Sequence, residues 1–130
     1  MGPNMATETI VIIDDDKSFT EAASLLLEDH GYVVHQALTG RSGLLQSFAH
    51  RPDVIIIDAH LPDMDGTEVA RRIQRSLPTR SLIMISSDDS AANIGRCMAV
   101  NPDAFLSKAL AHEELPELVA KALGAGRKGQ

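Results

Sequence analysis

Short unbroken apolar runs alternate along the chain with segments whose apolar residues recur at helical spacing. Residues 10–13, 54–57 and 82–85 form the three strongest runs, and 32–35 and 104–106 form shorter ones. Runs of this length without polar alternation predict strands covered on both faces, as in a parallel sheet between helices. Between them, Phe19, Ala22, Ala23, Leu26 and Leu27 repeat with the period of one helix face, and Gly31 supplies a stop. Leu44, Leu45 and Phe48 mark a second helix, and Val69, Ala70 and Ile73 a third, with Asp65 and Glu68 at capping-box spacing before it. Residues 91–98 form a weakly patterned fourth. Leu115, Leu118, Val119 and Ala122 mark a fifth, with Pro116 tolerable in its first turn.

The order βαβαβαβαβα predicts a doubly wound α/β domain with right-handed crossovers: a five-stranded parallel sheet, order 2-1-3-4-5, flanked by five helices in the flavodoxin-like manner. Residues 6–123 make up that domain. Residues 1–5, "MGPNM", are read as a cloning remnant or a disordered start before a native Met5, and the Gly-rich 124–130 as a flexible tail or the beginning of a linker.

Composition sharpens this in three places. Hydrophobic residues are 44% of the chain but aromatics only 3%, so the core must be aliphatic. The net charge of -6 argues against this domain gripping nucleic acid or an anionic membrane by itself. A single cysteine, Cys97, rules out an internal disulfide framework. With no apolar run of membrane-spanning length and no visible signal peptide, a cytoplasmic domain is expected.

The chemistry gathers where the strands end. Strand one runs into Asp14 and Asp15, strand three into Asp58, strand four into Ser86, and strand five into Lys108. In the predicted order strands one and three are neighbours, so one sheet edge collects three acids, one hydroxyl and one ammonium. At about 5 Å and an effective dielectric of about 20, each carboxylate pair costs roughly 3 kcal/mol. A hard divalent cation is the natural counter-charge, and Mg²⁺ takes such oxygen ligands together with waters and a phosphate. Phosphoryl transfer onto a carboxylate suits this edge, since it needs positioning and charge neutralisation above all.

The segments "VIIDDDKS", "DVIIIDAHLPDMDG", "LIMISSDD" and "DAFLSKA" resemble those of the response-regulator receiver domain of two-component signalling, and the resemblance spans roughly residues 9–123. It implies that Asp58 accepts a phosphoryl group from a sensor histidine kinase. It further implies that Asp15, Asp58 and the backbone carbonyl of His60 hold Mg²⁺ (or Mn²⁺), with Asp14 supporting. Lys108 and Ser86 would contact the phosphoryl group, and Ser86 and Phe105 would move together as a switch. His60 and Asp88 occupy positions that tune phosphoryl lifetime in the family. The implied readout is a change in the surface of the fourth helix, fifth strand and fifth helix, acting on an output domain or through homodimerisation, with no nucleic acid bound by this domain itself and no membrane. One departure stands out. Most relatives place Pro after the lysine, often in a cis peptide, whereas here Ala109 follows Lys108, and a cis bond before a non-proline costs about 2.5–4 kcal/mol. "KALAHEEL" resembles the form found in receivers joined to helix-turn-helix transcription regulators.

Other readings compete for the same residues. Asp16 suits the N-cap of the first helix, and Asp63 and Asp65 suit turn and cap roles. Gly66 suits either an unusual backbone angle or a close helix approach. The histidines form no evident cluster, and His30, His35, His50 and His112 are expected in solvent. The run Asp14-Asp15-Asp16-Lys17-Ser18 also resembles the D-x-D-x-S/T pattern of haloacid-dehalogenase-like phosphatases, where Asp14 would be the nucleophile and Asp16 the acid–base. The chain is short for such an enzyme, and that reading leaves "DAHLPDMDG" unexplained. A degenerate receiver acting only as a binding module is the third reading, disfavoured by the intact Asp15, Asp58, Ser86 and Lys108.

Overall fold

The computed structural model describes residues 7–78 and 80–128. The expected start at residues 1–5 lies outside them. The elements are β1 (Thr9–Ile13), α1 (Lys17–Glu28), β2 (Val33–Ala37), α2 (Gly40–His50), β3 (Val54–Asp58), α3 (Gly66–Ser76), β4 (Ser81–Ser86), α4 (Ala91–Met98), β5 (Ala104–Ser107), a 3-10 turn (Lys108–Leu110) and α5 (Ala111–Lys128). All strand pairings are parallel, in the order β2-β1-β3-β4-β5.

The central strands are buried on both faces, which is why their sequences lack alternation. Side chains still alternate in direction, and this sorts them into two cores. Val11, Ile13, Ile55, Ile57, Leu82 and Met84 pack with Val69, Ala70, Ile73 and Cys97 on the α2–α3–α4 side. Ile10, Ile12, Val54, Ile56, Ile83 and Ile85 pack with Leu27 of α1 and Leu115 and Val119 of α5 on the other. Each fully buried Ile or Leu contributes roughly 1.5–3 kcal/mol, so the aliphatic sheet is the main source of stability.

Four local expectations shift. β2 spans Val33–Ala37 rather than 32–35, because an edge strand carries polar His35 and Gln36 without penalty. α2 begins earlier than its apolar residues suggest, and its buried face is Gly40, Gly43, Leu44 and Ser47, while Leu45 and Phe48 are exposed. A Cβ on Gly43 would collide with the Ile13 side chain, so the helix sits too close to β1 for a larger inner residue. Pro116 lies in the second turn of α5, not the first, and the bond it forgoes is to the carbonyl of His112, an exposed residue. α5 also runs on to Lys128, into the segment expected as a tail.

Register delivers the sheet edge. Ile13 lies opposite Ile57, so Asp14 and Asp58 emerge side by side. Asp58 pairs with Ile85, one residue before Ser86, and Ser86 pairs with Ser107, one residue before Lys108.

Candidate functional site

Asp14 continues β1 by donating its backbone N–H to Ala37 O at 3.0 Å, which aims its side chain inward, fully buried. Oδ1 accepts from the Asp16 amide at 3.0 Å. Oδ2 lies 2.7 Å from Lys108 Nζ, but among the described residues no aligned hydrogen bond reaches it. Burial pushes the Asp14 carboxyl up to about 6, with the Asp58 charge adding to the rise while Lys108 and the Asp16 amide oppose it. Asp58 is buried and its Oδ1 accepts from the His60 amide at 3.1 Å. Lys108 Nζ also lies 3.5 Å from Asp58 Oδ2, bridging the two acids. Burial alone would lower the Lys108 ammonium; its contacts with Asp14 and Asp58 outweigh that and hold it above the usual lysine range. Nζ sits 4.9 Å from the centre of the Phe19 ring, a cation–π contact beneath the ion pair.

Asp15 is exposed at the mouth of this pocket, and carboxylate oxygens of Asp14, Asp15 and Asp58 all come within 4.8 Å of one another. That cluster fits a hard divalent cation. Its donors are all carboxylate oxygen, it is open on the Asp15 side, and its three acids have a single ammonium, Lys108, between Asp14 and Asp58 to balance them.

The remaining expected residues surround it. Ser86 is buried, and its Oγ accepts from the Asp88 amide at 3.0 Å and from Asn93 Nδ2 at 3.2 Å. Phe105 is half-buried on β5 against the α2–α3–α4 core. His60 and Asp88 are exposed at the rim, close enough for His60 to help hold the Asp88 carboxyl low, behind the larger effect of the Ser90 amide and hydroxyl. Among the described residues no peptide bond is cis, so Lys108–Ala109 is trans and leads directly into the 3-10 turn.

The cap expectations hold. Asp16 accepts from the Phe19 amide at 3.1 Å and caps α1. Asp63 accepts from the Gly40 and Arg41 amides at 2.7 and 2.9 Å, and Asp65 from Thr67. Gly66 is required by close approach: a Cβ there would strike the Asp58 carbonyl oxygen and come within 2.8 Å of Ala59 Cα.

Three features escaped the sequence. The histidines are not all isolated, because His35 and His50 stack with ring centroids 3.6 Å apart. Phe19 supports Lys108 although its periodicity marked it only as helix face. Asn93 and Arg96 tie α4 to Ser86 and Asp65.

A five-stranded 2-1-3-4-5 sheet with acids and a lysine converging at its carboxyl edge is the arrangement that the receiver resemblance implies. The model of the response regulator receiver domain matches residues 10–120, and the chain belongs to that family. It is 30% identical over 106 residues to the response regulator MprA of Mycolicibacterium vanbaalenii, covering 82% of this chain and 46% of that protein. It is 33% identical over 105 residues to the transcriptional regulatory protein CseB of Streptomyces coelicolor, covering 80% and 44%. The chain thus spans a little under half the length of these relatives. Among solved structures, a CheY-like receiver domain protein from Methanospirillum hungatei superposes with a TM-score of 0.90 at 27% identity, covering 96% of this chain and all of that one. Chemotaxis protein CheY4 of Vibrio cholerae gives 0.84 at 28%, covering 91% of this chain. The protein is therefore a signalling domain of a two-component response regulator rather than a metabolic enzyme. Among the described residues, no helix is long and apolar enough to cross a membrane.

Proposed function

We propose that Asp58 takes a phosphoryl group from a phosphohistidine of a sensor kinase in the cytoplasm. An Asp58 carboxylate oxygen forms the new P–O bond, the P–N bond to the kinase imidazole breaks, and that nitrogen keeps the electron pair and picks up a proton. Asp15, Asp58 and the His60 backbone carbonyl would hold Mg²⁺ (or Mn²⁺), with Asp14 supporting, and the bound ion would neutralise charge on the transferring group. Lys108 is the cation on the opposite side, drawn from its resting place between Asp14 and Asp58 towards the phosphoryl oxygens. Ser86 donates its hydroxyl to the same group, and Phe105 follows it. His60 and Asp88 border the path of a hydrolysing water and set how long the modification lasts.

The observation that carries this reading is the convergence of three carboxylates within 4.8 Å beside one buried-side ammonium. The readout is a change in the α4–β5–α5 surface that promotes homodimerisation or acts on a linked output domain. A DNA-binding output domain is favoured, because relatives of about twice this length are named as response and transcriptional regulators. The phosphatase-like reading loses ground, since the Asp16 side chain that would serve as its acid–base is committed to the α1 cap.

The test is incubation with acetyl phosphate and Mg²⁺, followed by intact mass. One added phosphoryl group is expected, and none in the presence of a chelator. No addition with Mg²⁺, or equal addition without it, would contradict the proposal.

A further inference from the structure

Asn93 is a polar residue on the inner face of α4, only 5% exposed, one turn before buried Cys97. A buried amide is costly unless its groups are bonded, and here every one is. Nδ2 donates to Ser86 Oγ at 3.2 Å and to the Asp88 carbonyl at 2.6 Å. Oδ1 accepts from Arg96 at 3.0 Å. The Arg96 guanidinium in turn donates to both Asp65 oxygens, at 2.8 and 2.7 Å, and Asp65 caps α3. An unbroken line of side chains therefore runs from Ser86 through α4 to the start of α3, where Gly66 rests on the Asp58 backbone.

We infer that Asn93 is a positioning residue for Ser86: it holds the hydroxyl in the resting protein, and its release is a step in the response. The inference rests on the reading of Asp58 and Ser86 given above. With Asp88 and Asn93 both donating to it, Ser86 Oγ has both its acceptor positions filled. The Ser86 O–H is still free to donate, but carrying it to a phosphoryl oxygen on Asp58 moves Oγ, and that movement gives up the 3.2 Å Asn93 bond, the longer of the two that Oγ accepts. Asn93 is then left with one unmatched donor, held by the Asp88 carbonyl and Arg96 alone, and the line through Arg96 to Asp65 loses its link to Ser86. One small movement at the sheet edge thereby uncouples Ser86 from α4.

Asn93→Ala removes the latch, and alanine, the strongest helix former, keeps α4 intact. Arg96→Met removes the anchor at the surface, where folding is not at stake. In the unmodified protein, exchange of the Asp88 amide is expected to rise about fivefold in Asn93→Ala, the worth of one net hydrogen bond. Unchanged exchange would overturn the inference, whatever Asp58 does. With acetyl phosphate and Mg²⁺, Asn93→Ala should raise the maximal rate of Asp58 modification by about fivefold at an unchanged half-saturating donor concentration. Arg96→Met should give a smaller gain in the same direction. In a Ser86→Ala background both gains should vanish. An equal gain there, or no gain in wild-type background, would show that Asn93 does not act through Ser86. Absence of any modification in the wild-type protein would sink the reading of Asp58, while the exchange rates still decide whether Asn93 holds Ser86.

Discussion

Asp14→Asn should stabilise the metal-free protein, and only above a particular pH. The Asp14 carboxyl is fully buried and pushed from 3.8 to about 6, chiefly by burial, so the fold disfavours its charged form. A group raised in this way contributes stability that is fully present below 3.8 and lost as pH rises through about 6. The shift of roughly two units, at about 1.4 kcal/mol per unit, corresponds to about 3 kcal/mol. Lys108 stays protonated across the whole window and does not alter the slope. Asparagine does not ionise. The variant should match wild type near pH 4 and exceed it by about 3 kcal/mol at pH 7.5, about 10 °C in melting temperature for a domain of this size. The assay is thermal and urea denaturation in chelator at half-unit steps between pH 4 and 8. Added Mg²⁺ should return much of the loss to wild type at pH 7.5 and little to the variant, because a bound cation favours the ionised cluster. A difference that stays constant from pH 4 to 8, or that shrinks with rising pH, would refute the placement of a penalised charge at Asp14.

Three further outcomes follow from the same structure. Gly66→Ala should cost about 1–3 kcal/mol in denaturation and slow modification of Asp58, because its Cβ meets the backbone of Asp58 and Ala59, which cannot give way. Lys108→Met should lower metal-free stability at pH 7.5 by about 3 kcal/mol by leaving Asp14 and Asp58 facing each other without a cation, and Mg²⁺ should restore part of it. Asp65→Ala should cost about 1 kcal/mol at pH 7. Bonds from Thr67 and Arg96 overcome burial and hold the Asp65 carboxyl low, so its stability is present above its ordinary pKa and is lost as pH falls below 3.8; the penalty of the variant should fade there in acid denaturation.

What could be read from the sequence, and what could not, divides along physical lines. Strands buried on both faces announce themselves by unbroken apolar runs, and in a parallel sheet their ends fall at one edge, so Asp14, Asp58, Ser86 and Lys108 could be placed together before any coordinates. Asp16, Asp63 and Asp65 were legible as caps because capping is a local rule of a few residues. α2 was misjudged because its inner face is built from glycines and Ser47, chosen for closeness rather than hydrophobicity, while Leu45 and Phe48 face out. The His35–His50 stack joins the edge strand to the far end of the next helix, a contact that no periodicity encodes. Asn93 reads as an ordinary polar residue in a weak helix; only its burial and its bond to Ser86 distinguish it. The α5 start was missed because the turn at Lys108–Leu110 feeds straight into the helix, displacing Pro116 to its second turn.

In the proposed reaction Asp58, and not another acid of the cluster, carries the phosphoryl group. Peptide mapping by mass after treatment with acetyl phosphate and Mg²⁺ tests it directly, with Asp58→Ala in parallel. Modification of the peptide containing Asp58 is expected, and none anywhere in the variant. Modification at Asp14, or modification that survives in Asp58→Ala, would contradict it.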